Sequence, residues 1–206
     1  MNKVDSGLKE KMFLTKNEIK EFLQPVENIS EDDAHTIIKR YVASIEGNFL
    51  SWMAGASISS RSVISRFAAD ENLWVELRDD HPSMLRKFAK CCNAEPDRSD
   101  FQYVHNEVMK IRSLVGELSG IKNITLMAVL ENTSAAFVPY LSELAKKIGC
   151  DDLTYTDVHG EADIDHANQF LEALTDEQNL GYKNSSDDID QTIRIVIDFM
   201  KKIFVL

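Results

Sequence analysis

The stretch that decides the fold lies near the C-terminus and reads Leu153-Thr-Tyr-Thr-Asp-Val-His159-Gly-Glu-Ala-Asp163-Ile-Asp-His166-Ala-Asn-Gln-Phe-Leu-Glu-Ala-Leu174. On a helix, positions i, i+4 and i+7 fall on one face, because each turn contains 3.6 residues. His159, Asp163 and His166 have this spacing. Two imidazoles and a carboxylate on one stripe suit a divalent transition metal such as iron, manganese or zinc. The alternative is a solvated polar helix face, since short motifs often match by chance.

The composition predicts a helical protein. The chain of 206 residues is long enough for one sizeable domain, and we interpret residues 1–206 as a single domain whose residues 1–14 are flexible. Apolar residues are plentiful, whereas eight Gly and four Pro are few, which favours long helices with short connections. The pattern predicts an all-α fold of seven or eight helices.

Charge and hydropathy exclude two classes of partner. The net charge is −11, and no run of Lys or Arg stands out, so we expect no nucleic-acid partner. The first 30 residues lack the features of a signal peptide. The longest apolar run, Ile124–Leu130, is far shorter than the roughly 20 residues that span a bilayer, so we expect no membrane association.

The three cysteines indicate a reducing compartment. Cys91, Cys92 and Cys150 form an odd, sparse set without the spacing of a metal site, which is consistent with a cytoplasmic protein. We interpret the vicinal pair Cys91–Cys92 as structural. A cysteine nucleophile is the alternative, although no histidine lies nearby in sequence to activate it.

Start signals and apolar spacing define the helices. A capping box at Thr15–Glu18 predicts the start of a first short helix, and Ser30 followed by three acidic residues predicts the next start. Helical spacing of apolar residues continues along most of the remaining chain. The predicted helices cover about 33–54, 60–78, 83–92, 100–118, 125–148, 154–174 and 186–204.

Glu76 and His81 could reach a common point only across a helix break. Five residues on one straight helix would point the two side chains about 140° apart. Asp79 and Asp80 favour a helix end, and Pro82 fits the first turn of a new helix. The sequence therefore predicts a break between Glu76 and His81. An exposed, charged corner is the alternative.

Glu131 is the carboxylate in the most apolar helix, within Leu126-Met-Ala-Val-Leu130-Glu131. A buried carboxylate is costly unless it is paired or binds a metal, and a helix-edge glutamate facing solvent is the alternative. In a straight hairpin, Glu131 would lie about 27 Å from the turn and His159 about 8 Å past it. We therefore predict that Pro139 breaks the helix over 125–148.

Three other polar residues are weaker candidates. His35 falls in the first turn of its helix and is expected at the surface. His105 lies beside an apolar stripe and is expected to be a core or edge histidine. Glu46 lies among core-facing residues of its helix.

The six candidate ligands make a set known from helix bundles. Facing helices of such bundles build di-iron and di-manganese sites from inward carboxylates and imidazoles. The order here is Asn72-Leu73-Trp-Val-Glu76, then His81-Pro82, then a mid-helix Glu131, then His159-x-x-x-Asp163-x-x-His166. In this order the sequence resembles the haem-oxygenase-like di-iron oxidases, over most of residues 71–174.

The resemblance implies a function and a set of ligands. It implies a compact helical homodimer that activates O2 with two labile iron ions and oxidises a small organic molecule. No catalytic residue is assigned beyond the metal ligands. By position in the family pattern, the ligands would be Glu76, His81, Glu131, His159, Asp163 and His166.

Two departures from the family pattern limit what the resemblance implies. The gap from Glu76 to His81 is shorter than the family commonly shows, so one of these ligands could be displaced or missing. The branch that makes para-aminobenzoate has a lysine about ten residues after the middle glutamate, and here only Lys146 follows. That activity is therefore not expected.

Two other functions stay open. One is a metal-free enzyme of the same fold, similar to the thiaminase-like or pyrroloquinoline-quinone synthase branches. The other is a non-catalytic helical interaction protein. No pattern in the sequence identifies the substrate.

Overall fold

The computed structural model describes residues 5–206, except for the side chains of residues 160–164. Within the described residues there are nine α-helices and no strand, so the all-α prediction is confirmed and the helix count is one above the expected range. A short 3₁₀ turn, Val26–Asn28, joins the first two helices. The helices are α1 (Ser6–Phe22), α2 (Glu31–Ile45), α3 (Phe49–Ser59), α4 (Val63–Arg78), α5 (His81–Cys91), α6 (Arg98–Gly116), α7 (Gly120–Lys147), α8 (Thr154–Gln178) and α9 (Ser185–Phe204).

The first helix begins earlier than the sequence predicts. Asp5 caps α1, because its carboxylate accepts hydrogen bonds from the N–H groups of Gly7 and Leu8 at 2.7 and 3.1 Å. Thr15, the predicted cap, lies inside the helix and its hydroxyl donates to a backbone carbonyl. The helix extends toward the N-terminus because Leu8 and Met12 are buried in the core.

The predicted helix over 33–54 is two helices. Its predicted start is correct, since the Ser30 hydroxyl accepts a hydrogen bond from the N–H of Asp33. The chain then breaks after Ile45, where Gly47 has a φ of +71°, which glycine adopts without strain. Helix α3 continues through Gly55, where we expected a loop. A Cβ there would lie 2.3 Å from Val115, so glycine allows α3 to pack closely on α6.

Helix α7 forms the centre of the core. The predicted break at Pro139 is wrong, because α7 is helical without interruption and includes this proline. It is also long and apolar enough to cross a membrane by length and composition, but 78% of its most apolar window is buried inside the fold. Its hydrophobic residues are therefore buried in the protein core, where α7 packs antiparallel to α8.

Glu177 anchors one end of the α4–α8 pair. This fully buried carboxylate, near the end of α8, accepts hydrogen bonds from the backbone N–H groups of Arg61 and Ser62 at the start of α4. The hydroxyl of Tyr182 also donates to it. Burial and this hydrogen bond raise the pKa of Tyr182 to about 12. A Cβ on Gly120 would lie 2.1 Å from the Glu177 carboxylate, so this packing requires glycine at the start of α7.

A disulfide that the sequence analysis missed ties α5 to the connection between α7 and α8. Cys91, the last residue of α5, is bonded to Cys150, and their Cα atoms are 5.3 Å apart. Cys92 is buried and free, and burial raises the pKa of its thiol to about 12. A thiol held protonated in this way exchanges poorly with a disulfide. The cytoplasmic location stays a prediction.

Candidate metal centre

Three side chains from three helices converge at the other end of the α4–α8 pair. Glu76 Oε1 on α4 lies 2.8 Å from His81 Nδ1 on α5 and 3.8 Å from His159 Nε2 on α8. One potential ligand atom from each residue lies within 4.8 Å of the other two. Glu76 and His81 are buried, with 6% and 4% of their surface exposed. We refer to these three residues as the first cluster.

A tight corner between α4 and α5 brings Glu76 and His81 together. Helix α4 ends at Arg78, and α5 begins at His81. Asp80 lies between them in the left-handed conformation, with a φ of 55°. Aspartate adopts this conformation more readily than most residues. The predicted break is therefore confirmed, and the short spacing from Glu76 to His81 does not prevent the two side chains from meeting.

A hydrogen bond fixes the tautomer of His159. Its Nδ1 lies 2.7 Å from the carbonyl oxygen of Tyr155, one helical turn earlier. A carbonyl can only accept, so Nδ1 carries the proton and donates it. In the neutral ring Nε2 then has the lone pair, and this is the nitrogen that faces Glu76. Histidine ligands of metals are commonly oriented by such a bond on the other ring nitrogen.

The two histidines determine the charge of Glu76. Burial alone raises the pKa of this carboxyl group, but the hydrogen bonds and charge interactions that His159 and His81 make in their protonated forms outweigh burial and lower the pKa to about 2. The side chain is therefore a carboxylate at neutral pH. A buried anion between two imidazoles is a suitable place for a divalent cation.

A second cluster lies along the same pair of helices. Glu131 Oε2 on α7 is 3.8 Å from His166 Nδ1 on α8, and Glu131 is only 4% exposed. The alternative of a solvent-facing Glu131 is therefore excluded. The sequence predicted that Glu131 and His159 would lie at different distances from the turn between α7 and α8. No break in α7 is needed to resolve this difference, because α8 is long enough for His166, rather than His159, to lie beside Glu131.

The side chain of Asp163 lies outside the described residues, although its backbone is part of α8. The structure thus brings five of the six predicted side chains into two neighbouring groups. His35 bonds a backbone carbonyl of its own helix, as expected for a surface residue. His105 is exposed on α6, so the expected core or edge position is wrong.

A small cavity lies against both clusters. It has a volume of about 60 Å³, and Glu76, His81, Glu131 and His159 contribute to its wall. Most of the remaining wall is apolar. Glu46 also reaches this cavity and forms an ion pair with Arg86 at 3.2 Å. The apolar part includes Ile45, Phe49, Leu85, Leu130, Phe137 and Val138.

Sequence reasoning missed a pair of tyrosines beside the first cluster. The hydroxyl groups of Tyr41 and Tyr155 are 2.7 Å apart, and both residues are buried. The ring of Tyr155 also lies 4.3 Å from the ring of His159. The spacing of four residues between Tyr155 and His159 could have indicated this contact. Nothing in the sequence indicates that Tyr41, on α2, would join them.

Asn72 is a second residue near the clusters whose role the sequence did not reveal. It is 1% exposed, lies one helical turn before Glu76, and donates a hydrogen bond to Gln169 on α8 at 3.0 Å. Among the residues that the structure describes, no group donates a hydrogen bond to its side-chain oxygen. The contact with Gln169 connects α4 to α8 between the two ends of the pair.

Comparison with known proteins agrees with this arrangement. No curated protein matches the sequence. A family model described as iron-containing redox enzyme matches residues 40–199, which contain both clusters and the cavity. The match covers more than half of the chain, and the resemblance to the haem-oxygenase-like family is thereby confirmed. The chain belongs to the family of iron-containing redox enzymes.

Proposed function

We propose that this protein is a non-haem iron enzyme that binds two iron ions and uses O2 to oxidise a small organic molecule in the apolar cavity. The observation that carries this proposal is the convergence of His81 and His159 on the buried Glu76 carboxylate. Membership of a family of iron-containing redox enzymes supports the metal and the redox chemistry.

The donor set fits iron. Glu76, His81 and His159 would hold one ion, and Glu131 and His166 would hold the second, with Asp163 as a further ligand by its position in the family pattern. Two nitrogens and a carboxylate oxygen are typical ligands of non-haem iron. Bound Fe(II) would supply electrons that reduce and activate O2, and the activated O2 would oxidise the substrate.

The surrounding residues prepare the site for this chemistry. The carbonyl of Tyr155 keeps the Nε2 lone pair of His159 directed toward Glu76. Apolar residues such as Leu85 and Phe137 line the cavity and would limit the water beside the site. A dry wall strengthens electrostatic interactions within the site. The small volume of the cavity, about 60 Å³, favours a small substrate.

An anaerobic titration with Fe(II) tests the proposal. We expect two ions per chain for the wild type, one for Glu131→Ala, and substantially weaker binding for His159→Ala. His105→Ala is the matched control, because this histidine is exposed and lies on α6, which contributes no residue to either cluster. Isothermal calorimetry measures stoichiometry and affinity without requiring a substrate. Failure of the wild type to bind Fe(II), or unchanged binding by His159→Ala, would contradict the proposal.

Exposure of the loaded protein to O2 separates the proposal from its rivals. Iron-dependent O2 uptake that disappears in His159→Ala but not in His105→Ala supports an O2-using enzyme. Turnover of a candidate substrate that persists in excess chelator would instead identify a metal-free enzyme of the same fold. Iron binding with no O2 uptake across a panel of amines, carboxylic acids and aromatic compounds would argue against O2 as co-substrate.

A further inference from the structure

One charged residue of the cavity wall belongs to neither cluster. Glu46 directly follows the last residue of α2, and it lines the cavity together with Glu76 and Glu131. The Glu46 side chain is 29% exposed, whereas Glu76 and Glu131 are buried. Gly47, the next residue of the wall, is exposed as well. Glu46 therefore lies where the cavity approaches solvent, and the two cluster carboxylates lie deeper.

The carboxylate of Glu46 has one oxygen available for a ligand. Its Oε1 accepts a hydrogen bond from Nη1 of Arg86 at 3.2 Å, and Nη2 of Arg86 donates to the hydroxyl of Ser83 at 2.8 Å. These contacts position the carboxylate, but Arg86 itself does not line the cavity. Within the part of the chain that the structure describes, no hydrogen bond reaches Oε2. A second donor can therefore bind the same carboxylate.

The sign of the charge in the cavity favours a cationic head group. The described residues of the wall include the carboxylates of Glu46, Glu76 and Glu131 but no Lys or Arg. An ammonium group beside Glu46 would be attracted, whereas a carboxylate there would be repelled. The net charge of −11 acts in the same direction.

The distribution of apolar residues orients such a ligand. Leu85, Leu130, Phe137 and Val138 line the cavity and are buried. Burial of an unpaired ammonium group among them would be costly, so the charge would stay at Glu46 and the carbon chain would lie inward. The cavity volume of about 60 Å³ corresponds to roughly four to six water-sized groups, which suits a chain of about five carbon atoms.

We infer that the cavity takes a small primary amine, whose ammonium group binds Glu46 Oε2 and whose carbon chain lies against the buried apolar wall. This inference rests on the proposed function, because it names the substrate class of the same cavity. It makes Glu46 a residue that determines specificity, in addition to the candidate metal ligands.

Three probes with six non-hydrogen atoms each test the inference: n-pentylamine, which is protonated at neutral pH as lysine is, 1-pentanol and butyrate. Each is titrated into the full chain without metal, in chelator and at physiological salt, which screens binding of the amine to the acidic surface. NMR spectroscopy measures the binding. We expect n-pentylamine to bind most tightly and to shift the methyl signals of Leu85, Leu130 and Val138. Those of Leu180, which is exposed and outside the cavity, should not shift.

Substitutions of Glu46 test its role in this preference. Glu46→Gln should raise the dissociation constant of n-pentylamine about 10-fold and change that of 1-pentanol less than about twofold. Glu46→Lys should reverse the preference, so that butyrate binds more tightly than n-pentylamine. Glu143→Gln is the matched control, since Glu143 also forms an ion pair, with Lys146 at 2.8 Å, but does not line the cavity. Circular dichroism checks that each variant folds.

The wild type is then loaded with Fe(II) anaerobically and titrated by calorimetry, because a carboxylate that binds iron is the main alternative. Tighter binding of butyrate than of n-pentylamine, with or without iron, or unchanged n-pentylamine binding in Glu46→Gln, would overturn the inference. So would the absence of n-pentylamine binding, or shifts that spare the methyl groups of the cavity. The metal-free titration does not depend on iron, so a failed Fe(II) titration and a failure of this inference are separate results.

Discussion

Two buried glutamates join the same pair of helices at opposite ends, and they have different partners. At one end, the Glu177 carboxylate on α8 accepts hydrogen bonds from backbone N–H groups of α4 and from Tyr182. At the other end, the Glu76 carboxylate on α4 faces nitrogen atoms of His81 and His159. Both side chains are almost fully buried.

The two glutamates differ in whether their partners can also bind a metal ion. Backbone N–H groups and a tyrosine hydroxyl donate hydrogen bonds to Glu177, and this arrangement is complete without any further group. An imidazole can instead present a lone pair, so Glu76 and its two histidines can share a cation. Burial of a carboxylate therefore does not by itself indicate a candidate metal centre, whereas neighbouring imidazoles that can act as ligands do.

The same substitution at the two glutamates provides the sharpest test of this comparison, and the larger loss of stability is expected at Glu177. Glu177→Gln replaces one acceptor oxygen by an NH₂ group that faces N–H donors. We expect the free energy of unfolding to fall by about 3 kcal/mol, because buried hydrogen bonds to a charged group are lost. Chemical denaturation of the metal-free protein measures this change.

Iron binding by folded Glu177→Gln should remain near the wild-type value, since its carboxylate lies at the other end of α8. A variant as stable as the wild type would show that the hydrogen bonds at this end contribute little to the fold.

The disulfide lies at the end of the α4–α8 pair that contains the first cluster. It connects α5, which begins with His81, to the connection that precedes α8 and its His159. We expect the double variant Cys91→Ser and Cys150→Ser to lose about 2–3 kcal/mol of unfolding free energy, because the cross-link restricts the unfolded chain. Thermal and chemical denaturation with and without reductant measure the effect.

Cys92→Ser is the matched control for the disulfide, because this thiol is free and the variant keeps the bond between Cys91 and Cys150. Its stability should therefore fall on addition of reductant as that of the wild type does, whereas the stability of the double variant should not change. A double variant with wild-type stability under oxidising conditions would mean that the bond does not support this end of the fold.

The smallest change in stability is expected for Glu76→Gln. The glutamine oxygen can still accept a hydrogen bond from His81, but the charge interactions with both histidines, which outweigh the cost of burial at Glu76, are lost. We therefore expect a loss of about 2 kcal/mol in the metal-free protein, because one hydrogen bond is kept. Affinity for Fe(II) should fall about 100-fold, because a neutral amide is a poor ligand for iron.

The measurement is an anaerobic Fe(II) titration beside the denaturation curve of the same sample. Equal losses of stability in Glu76→Gln and Glu177→Gln, with iron affinity unchanged in both, would remove the distinction between the two glutamates.

Local signals in the sequence predicted the parts of the site that depend on neighbouring residues. Pro82 and the preceding aspartates predicted the corner between Glu76 and His81. Helical spacing predicted that His159 and His166 share a face of α8. The candidate residues could therefore be named before the structure, although their spacing alone did not show which carboxylate faces which histidine.

Features that depend on contacts between residues far apart in the sequence could not be predicted in this way. Glu177 lies between the predicted helices over 154–174 and 186–204, where we expected a loop. No local pattern indicates that it contacts the backbone at the start of α4. The apolar residues of α4 have the spacing of core residues, yet the side of the helix that packs consists of small or polar residues. Pro139 predicted a break in α7, but the helix is continuous through this proline and is packed in the core.

The corner at Asp80 also bears on the order in which the protein assembles. Glu76 and His81 are only five residues apart, so closing the loop between them costs little chain entropy. His159 must come from α8, after most of the chain has been added, and contacts so distant in sequence form more slowly. We expect the carboxylate and the first imidazole to meet early in folding, so the docking of α8 is the step that completes the first cluster.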